Sequence, residues 1–159
     1  MIRVLFVCLG NICRSPMAEG VFAHQVAQAG LSDQFEIDSA GTSDWHKGET
    51  AHTRTLAVLK TRSIPYDGRS RPLLVTDAAR FDLIVAMDKE NLRDIQHLFG
   101  NVDRKPEIRL FLQDAYEAGT IPRVEVPDPY GTDLYHETYA LVDEGSKALL
   151  ARLRRDHGI

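Results

Sequence analysis

Residues Cys8-Leu-Gly-Asn-Ile-Cys-Arg-Ser15 follow the apolar run Ile2-Arg-Val-Leu-Phe-Val7 and lead into a helical pattern that begins at Pro16. A strand thus ends at a cysteine, a loop returns an arginine six positions later, and a helix starts where the loop closes. A loop of this length curls so that backbone N–H groups face inward, and the helix N-terminus beneath adds partial positive charge. Gly10 is expected to supply a backbone conformation closed to most residues, with Asn11 the next best residue for left-handed geometry. Ser15 reads as the helix N-cap and Pro16 as the first helical residue, with Glu19 in the first turns. Arg14 carries a guanidinium that can bind two oxygens of one anion, which lysine cannot. Donors, helix and arginine together favour the thiolate of Cys8, with the Ser15 hydroxyl placed to hydrogen-bond the sulfur. The arrangement suits holding a phosphate-like dianion against a sulfur nucleophile.

Competing readings of the loop fit less well. A lone cysteine at a strand end is usually a small buried hydrophobe, but that leaves the glycine, arginine and serine at these spacings unexplained. A nucleotide-binding loop would end Gly-Lys-Ser/Thr, which is absent. Zinc would need a second Cys or His pair, and none follows Cys8 and Cys13.

Working outward, Phe35 to Ser39, Asp82 to Met87 and Glu107 to Phe111 read as three further strands. Helical spacing marks residues 16–29 (Val21, Phe22, Val26, Ala29), about 52–62 (Leu56, Val58, Leu59), 88–99, and a final stretch from about 133 to 155. Gly41–Glu49 is polar and holds the only tryptophan, Trp45; Pro65–Pro72 is a basic turn region, and Pro122–Thr132 is loop. Strands that alternate with helices imply an α/β fold, a parallel sheet with helices on both faces. Ligands bind such sheets at the carboxyl ends of the strands, where the Cys8 loop lies.

With 159 residues the chain is expected to form a single domain with a proper core. A net charge of −4 without a basic stripe argues against a nucleic-acid partner. Arg152 to Arg155 fall at the end of the last helix, where cations suit the dipole. Both cysteines sit in the loop, so no disulfide framework exists. The apolar start is too short for a signal peptide or a membrane span, which makes a reducing cytoplasm the expected compartment and a membrane partner unexpected.

Transfer of a phosphoryl group to the cysteine needs an acid to protonate the leaving group. Asp128, in Val126-Pro-Asp-Pro-Tyr130, is the candidate, because the flanking prolines stiffen its loop. Once deprotonated, the same carboxylate can activate water. As a bare motif, Asp before Pro is equally a common turn. Trp45 and Tyr130 are candidate walls for a flat aromatic substrate. The six histidines form no ligand pattern and read as surface residues. Cys13 is either a packing residue of the loop or a thiol able to form a disulfide with Cys8.

These pieces resemble the low-molecular-weight protein tyrosine phosphatases over nearly the whole chain. The similarity rests on VCLGNICRSPMAE at residues 7–19, DSAGTSDWHKGE at 38–49, AMDKENL at 86–92 and DPYG at 128–131. The resemblance implies a four-stranded, doubly wound parallel sheet, a phosphocysteine intermediate, tyrosine-phosphorylated protein substrates, and neither metal nor cofactor. Cys8 is then the nucleophile, Arg14 the phosphate ligand and Asp128 the acid and base. Asn11 and Ser15 shape the loop and stabilise the thiolate, with Leu9, Gly10, Ile12 and Cys13 completing the phosphate-binding site. Trp45 and Tyr130 flank the cleft mouth, and a monomer is the favoured state. Two positions depart from the family: Gly131 stands where a second tyrosine is common, and Gly68 where many members carry a histidine that hydrogen-bonds the loop asparagine.

Three alternatives remain open at this stage. A phosphoarginine phosphatase would share the chemistry, but carries threonine at the position of Ile12. An arsenate reductase would share the loop, but needs cysteines beyond Cys13. A non-catalytic phosphate-binding module would not need Cys8, Arg14, Ser15 and Asp128 together.

Overall fold

Side-chain alternation along the first strand sorts the core. In the computed structural model, which describes residues 1–159, β1 (Ile2–Cys8) sends Ile2, Val4, Phe6 and Cys8 into one apolar layer. Leu5 and Val7 enter another, on the opposite face of the sheet. β2 (Phe35–Gly41) and β3 (Leu83–Ala86) pair with β1 in parallel on its two sides, and β4 (Glu107–Leu110) joins β3 at the edge. The strand order is β2-β1-β3-β4.

On the first face lie α1 (Arg14–Gln28), α2 (Thr53–Thr61), α5 (Gln113–Glu117) and the long α6 (Tyr135–His157). Phe6 anchors this layer, 5.4 Å from the Phe22 ring and 5.5 Å from Phe111. The short α3 (Asp77–Arg80) and α4 (Lys89–Phe99) close the second face through Ala78, Ile95 and Phe99. The sheet is therefore doubly wound, as expected. The winding reverses between β1 and β3, so a crevice opens outside the carboxyl ends of those two strands.

Element ends differ from the sequence reading in instructive ways. α1 starts at Arg14, its N-cap is Cys13, and no side chain caps it. The Ser15 hydroxyl is engaged with Cys8 and Asn11 instead, so Ser15 is not the N-cap. β2 runs on to Gly41, which pairs with Cys8. A Cβ there would lie 2.8 Å from the Leu9 carbonyl oxygen, so the close approach of β2 to the loop requires glycine. α3 and α5 escape the sequence reading because a helix of one turn carries no periodic signal. α6 runs further than expected and ends at Gly158, whose φ of 65° is left-handed. No helix is long and apolar enough to cross a membrane.

Candidate active site

The loop from Leu9 to Cys13 is a main-chain cradle. The N–H groups of Leu9, Gly10, Ile12, Cys13, Arg14 and Ser15 donate to no acceptor in the protein. Asn11 N–H is the exception, directed at Cys8 Sγ at 3.3 Å. Unpaired donors are costly away from water, and six of them around one sulfur constitute a site for an anion. The left-handed residue is Asn11, with φ 56°; Gly10 lies outside that region, contrary to expectation. A Cβ at position 10 would meet the His46 ring at 3.1 Å, a tight contact that the ring would have to shift slightly to accept.

The crevice gathers residues from beyond β1 and β3 and from the Asp128 loop between α5 and α6. Arg14 is 3% exposed, and its Nη1 donates to Asp88 Oδ2 at 2.7 Å and to the Val126 carbonyl at 2.9 Å. Neither Nη2 nor Nε has a hydrogen-bond partner in the protein, and Nη2 stands 3.8 Å from Asp128 Oδ2. The Nε/Nη2 edge is thus left for two oxygens of a bound anion. Burial opposes the Arg14 charge, but Cys8, Asp88 and Asp128 overcome it and raise its pKa further. Asp88 lies two residues beyond the end of β3 and also caps α4 through Asn91 N–H at 2.7 Å. Val126 N–H bonds the Met87 carbonyl at 2.8 Å, which pins the Asp128 loop to the end of β3.

Asp128 is half-exposed, and its Oδ1 accepts the Tyr130 N–H at 3.1 Å. The segment Pro129–Thr132 is a tight turn closed by Thr132 N–H to the Pro129 carbonyl at 2.9 Å. Its third residue is Gly131 at φ 78°, the value a type II turn needs. The glycine that replaces a second tyrosine is therefore the hinge residue of this turn.

Behind the cradle runs a hydrogen-bonded chain. The Asn11 carboxamide accepts the Arg71 N–H at 3.0 Å, which fixes which end is oxygen. Its Nδ2 then donates to Ser15 Oγ at 2.7 Å and to Ser39 Oγ at 3.0 Å. Ser39 in turn donates to Glu19 Oε1 at 2.6 Å, as does the Tyr66 hydroxyl at 2.9 Å. Because the Ser15 oxygen already accepts from Asn11, its proton is free to point at Cys8 Sγ, 3.0 Å away. Every direction in the chain is consistent with an anionic Glu19 at one end and an anionic sulfur at the other.

The cleft has a volume of about 280 Å³ and is lined by Cys8, Leu9, Gly10, Ile12, Cys13, Arg14, Trp45, His46, Asp128 and Tyr130. The expected site residues meet here, with Asn11 and Ser15 buried behind the loop. Trp45 and Tyr130 stand at the mouth, 72% and 59% exposed, so each presents a face to whatever enters. Two of the histidines are partly exposed, as surface residues are, yet they support the site. His46 lies on Gly10 with Nδ1 2.8 Å from Glu49. His52 donates its N–H to the Ile12 carbonyl at 2.8 Å, caps α2, and stacks on Tyr135 at 5.3 Å. Cys13 faces the Tyr135 hydroxyl at 3.3 Å and is free, as is Cys8. Burial pushes the Cys13 thiol up to about 11.

Sequence reasoning missed Asp88, Ser39, Arg71, Tyr66 and both histidines. Asp88 had a usable signal, since it is the first residue beyond the stretch Asp82–Met87 read as a strand, whose carboxyl end faces the crevice. The others become neighbours only through the sheet register and a loop crossing, and no local pattern marks them.

Comparison with known proteins agrees with this geometry. Residues 3–158 match the model of a family described as low molecular weight phosphotyrosine protein phosphatase. The chain is 38% identical to the low molecular weight protein-tyrosine-phosphatase YfkJ of Bacillus subtilis, with 98% of each chain covered. The crystal structure of YfkJ superposes with a TM-score of 0.89, at 40% identity, over 98% of this chain and 96% of that one. A Drosophila arginine phosphatase superposes with a TM-score of 0.88, at 29% identity, over 96% of this chain and 98% of that one.

Proposed function

Because the chain belongs to the low molecular weight phosphotyrosine protein phosphatase family, we propose that Cys8 is its nucleophile, Arg14 its phosphate ligand and Asp128 its acid and base. The reaction is hydrolysis of phosphotyrosine monoesters on proteins through a phosphocysteine intermediate. The phosphoryl oxygens lie in the cradle of N–H groups, with two of them on the free edge of Arg14. Cys8 sulfur attacks phosphorus, the bond from phosphorus to the tyrosyl oxygen breaks, and Asp128 delivers a proton to that oxygen. Asp128, now a carboxylate, takes a proton from water, and the oxygen attacks phosphorus. The S–P bond breaks, the sulfur leaves as a thiolate stabilised by the Ser15 hydroxyl, and phosphate departs.

The observation that carries this reading is the set of six unpaired N–H groups and one free guanidinium edge around the Cys8 sulfur, facing Asp128. The remaining loop positions, Leu9, Gly10, Asn11, Ile12, Cys13 and Ser15, form the phosphate site. We read residues 1–159 as one domain, in keeping with the match over 3–158. Two exposed aromatics and the apolar Ile12 favour a phenyl ring over a guanidinium, which would want polar partners. No cysteine follows Cys13, so a disulfide relay of the arsenate-reductase kind has no place in the chain.

Peptides carrying phosphotyrosine and phosphoarginine, assayed side by side, test the assignment. Faster turnover of phosphotyrosine by at least about tenfold is expected, about 1.4 kcal/mol of discrimination. Preference for phosphoarginine would overturn it.

A further inference from the structure

At the far end of the chain behind the cradle, Tyr66 and Gly68 form a matched pair. Tyr66 reaches back from the segment after α2 and donates to Glu19 Oε1 at 2.9 Å, beside the 2.6 Å bond from Ser39. Glu19 is half-buried in the first turns of α1, and two hydroxyl donors on one oxygen suit a carboxylate partly withdrawn from water. The Tyr66 ring occupies the space that any side chain at position 68 would take. A Cβ on Gly68 would overlap the Tyr66 hydroxyl and lie 2.7 Å from Cζ. Gly68 has no left-handed φ, so its lack of a side chain has a spatial rather than a conformational reason. The absence of a side chain at 68 and the presence of a hydroxyl from 66 are thus one feature.

We propose that Tyr66 is a positioning residue for Cys8: its hydroxyl keeps the Glu19 carboxylate anionic, and Gly68 is the vacancy that admits it. The proposal rests on Cys8 being the nucleophile. The anion at Glu19 orients the Ser39 hydroxyl away from Asn11, so that Asn11 donates to both serines and the Ser15 proton is left for the Cys8 sulfur. A neutral Glu19 would itself become a donor, and the direction of the whole chain would no longer be fixed. Around Glu19 the charged groups are Asp38 of β2 and Arg71, which is itself paired with Asp38 and Asp77. Burial raises the Glu19 carboxyl above its ordinary range, while Ser39 and Tyr66 pull it back. Removing the Tyr66 donor therefore raises it again.

The test is a pH profile of kcat/KM for para-nitrophenyl phosphate, from about pH 4 to about pH 8, on Tyr66→Phe, Gly68→Ala and the double variant. For Tyr66→Phe the expected loss is about fivefold on the acid side and under about twofold at the alkaline end. Gly68→Ala should reproduce that profile, because its methyl displaces the movable end of the Tyr66 side chain. The double variant should be no worse than Gly68→Ala, since both remove one bond. An NMR titration of the Glu19 carboxyl, which needs no activity, should move to higher pH in Tyr66→Phe. A loss equal at every pH, additive effects, or an unmoved Glu19 titration would each overturn the proposal. An inactive wild-type protein would instead sink the reading of Cys8, leaving the Glu19 titration to judge Tyr66.

Discussion

The two sides of the cleft are built to opposite standards. On the Cys8 side Asn11, Arg14 and Ser15 are 2%, 3% and 0% exposed, and their side chains meet fixed partners on α1, β2, α4 and the segments flanking them. On the Asp128 side the carboxyl is half-exposed, its turn is held by bonds among Pro129, Tyr130 and Thr132, and Tyr130 is open to solvent. Val126 ties that side to the end of β3 and to Arg14, and Arg54 Nη1 holds the Thr132 carbonyl at 2.8 Å from the exposed side. The phosphoryl group has one shape in every substrate and suits a rigid cradle. The leaving group differs among substrates and suits a wall that gives way.

Substitutions can break this contrast. Cys8→Ser should abolish hydrolysis of para-nitrophenyl phosphate by about 10⁴-fold or more, because no other group can take the phosphoryl. Tungstate should still quench the fluorescence of Trp45, the only tryptophan and a residue of the cleft mouth, since the cradle survives. Loss of that quenching would show that the sulfur, not the main chain, holds the anion. Asp128→Ala is expected to lower kcat/KM, which reports transfer of the phosphoryl group to Cys8, by about 10²- to 10³-fold for phenyl phosphate but by under about tenfold for a good leaving group. Equal losses for both would deny Asp128 the role of acid.

Asp88→Asn tests the rigid side at its most hidden support. The side chain of Arg14 would keep a neutral partner but lose a charged one, so KM for aryl phosphates should rise about tenfold. Asparagine caps a helix as well as aspartate does, so α4 should keep its start and the effect should be read in KM rather than in a lost cap. An unchanged KM would mean that Val126 alone orients the guanidinium. The smallest effect concerns Cys13. With its thiol near about 11, iodoacetamide at neutral pH should label Cys8 and spare Cys13 until the chain unfolds. The sign for stability follows from the same value. The unfolded thiol ionises first, so Cys13 favours the fold below about pH 9 and loses that contribution as pH rises towards about 11. Equal labelling of both cysteines would place Cys13 in the open.

How much of this was legible depends on how local each feature is. Strand, cysteine, arginine and helix start share one stretch of chain, so the cradle and its place on the sheet could be read from residues 2–16. That Asn11 rather than Gly10 is the left-handed residue could not, nor could the closeness of Gly10 to the His46 ring, which arrives from a polar loop beyond β2. Ser15 had two uses open to it, cap or sulfur partner, and only the amide of Asn11 decides between them. Gly131 and Gly68 looked alike in sequence, each a missing side chain. One is conformational, at φ 78°, and the other spatial, beneath Tyr66.

A cradle of main-chain N–H groups has no side chain to lose. Single substitutions at Leu9, Ile12 or Cys13 change the lining of the cleft but leave the donors where they are. The anion site can therefore drift in sequence while its chemistry persists. Beyond Arg14 and its supports, the cradle is vulnerable where the path of the backbone is set, at the left-handed Asn11 and at Gly41, whose missing side chain lets β2 pass beneath the Leu9 carbonyl.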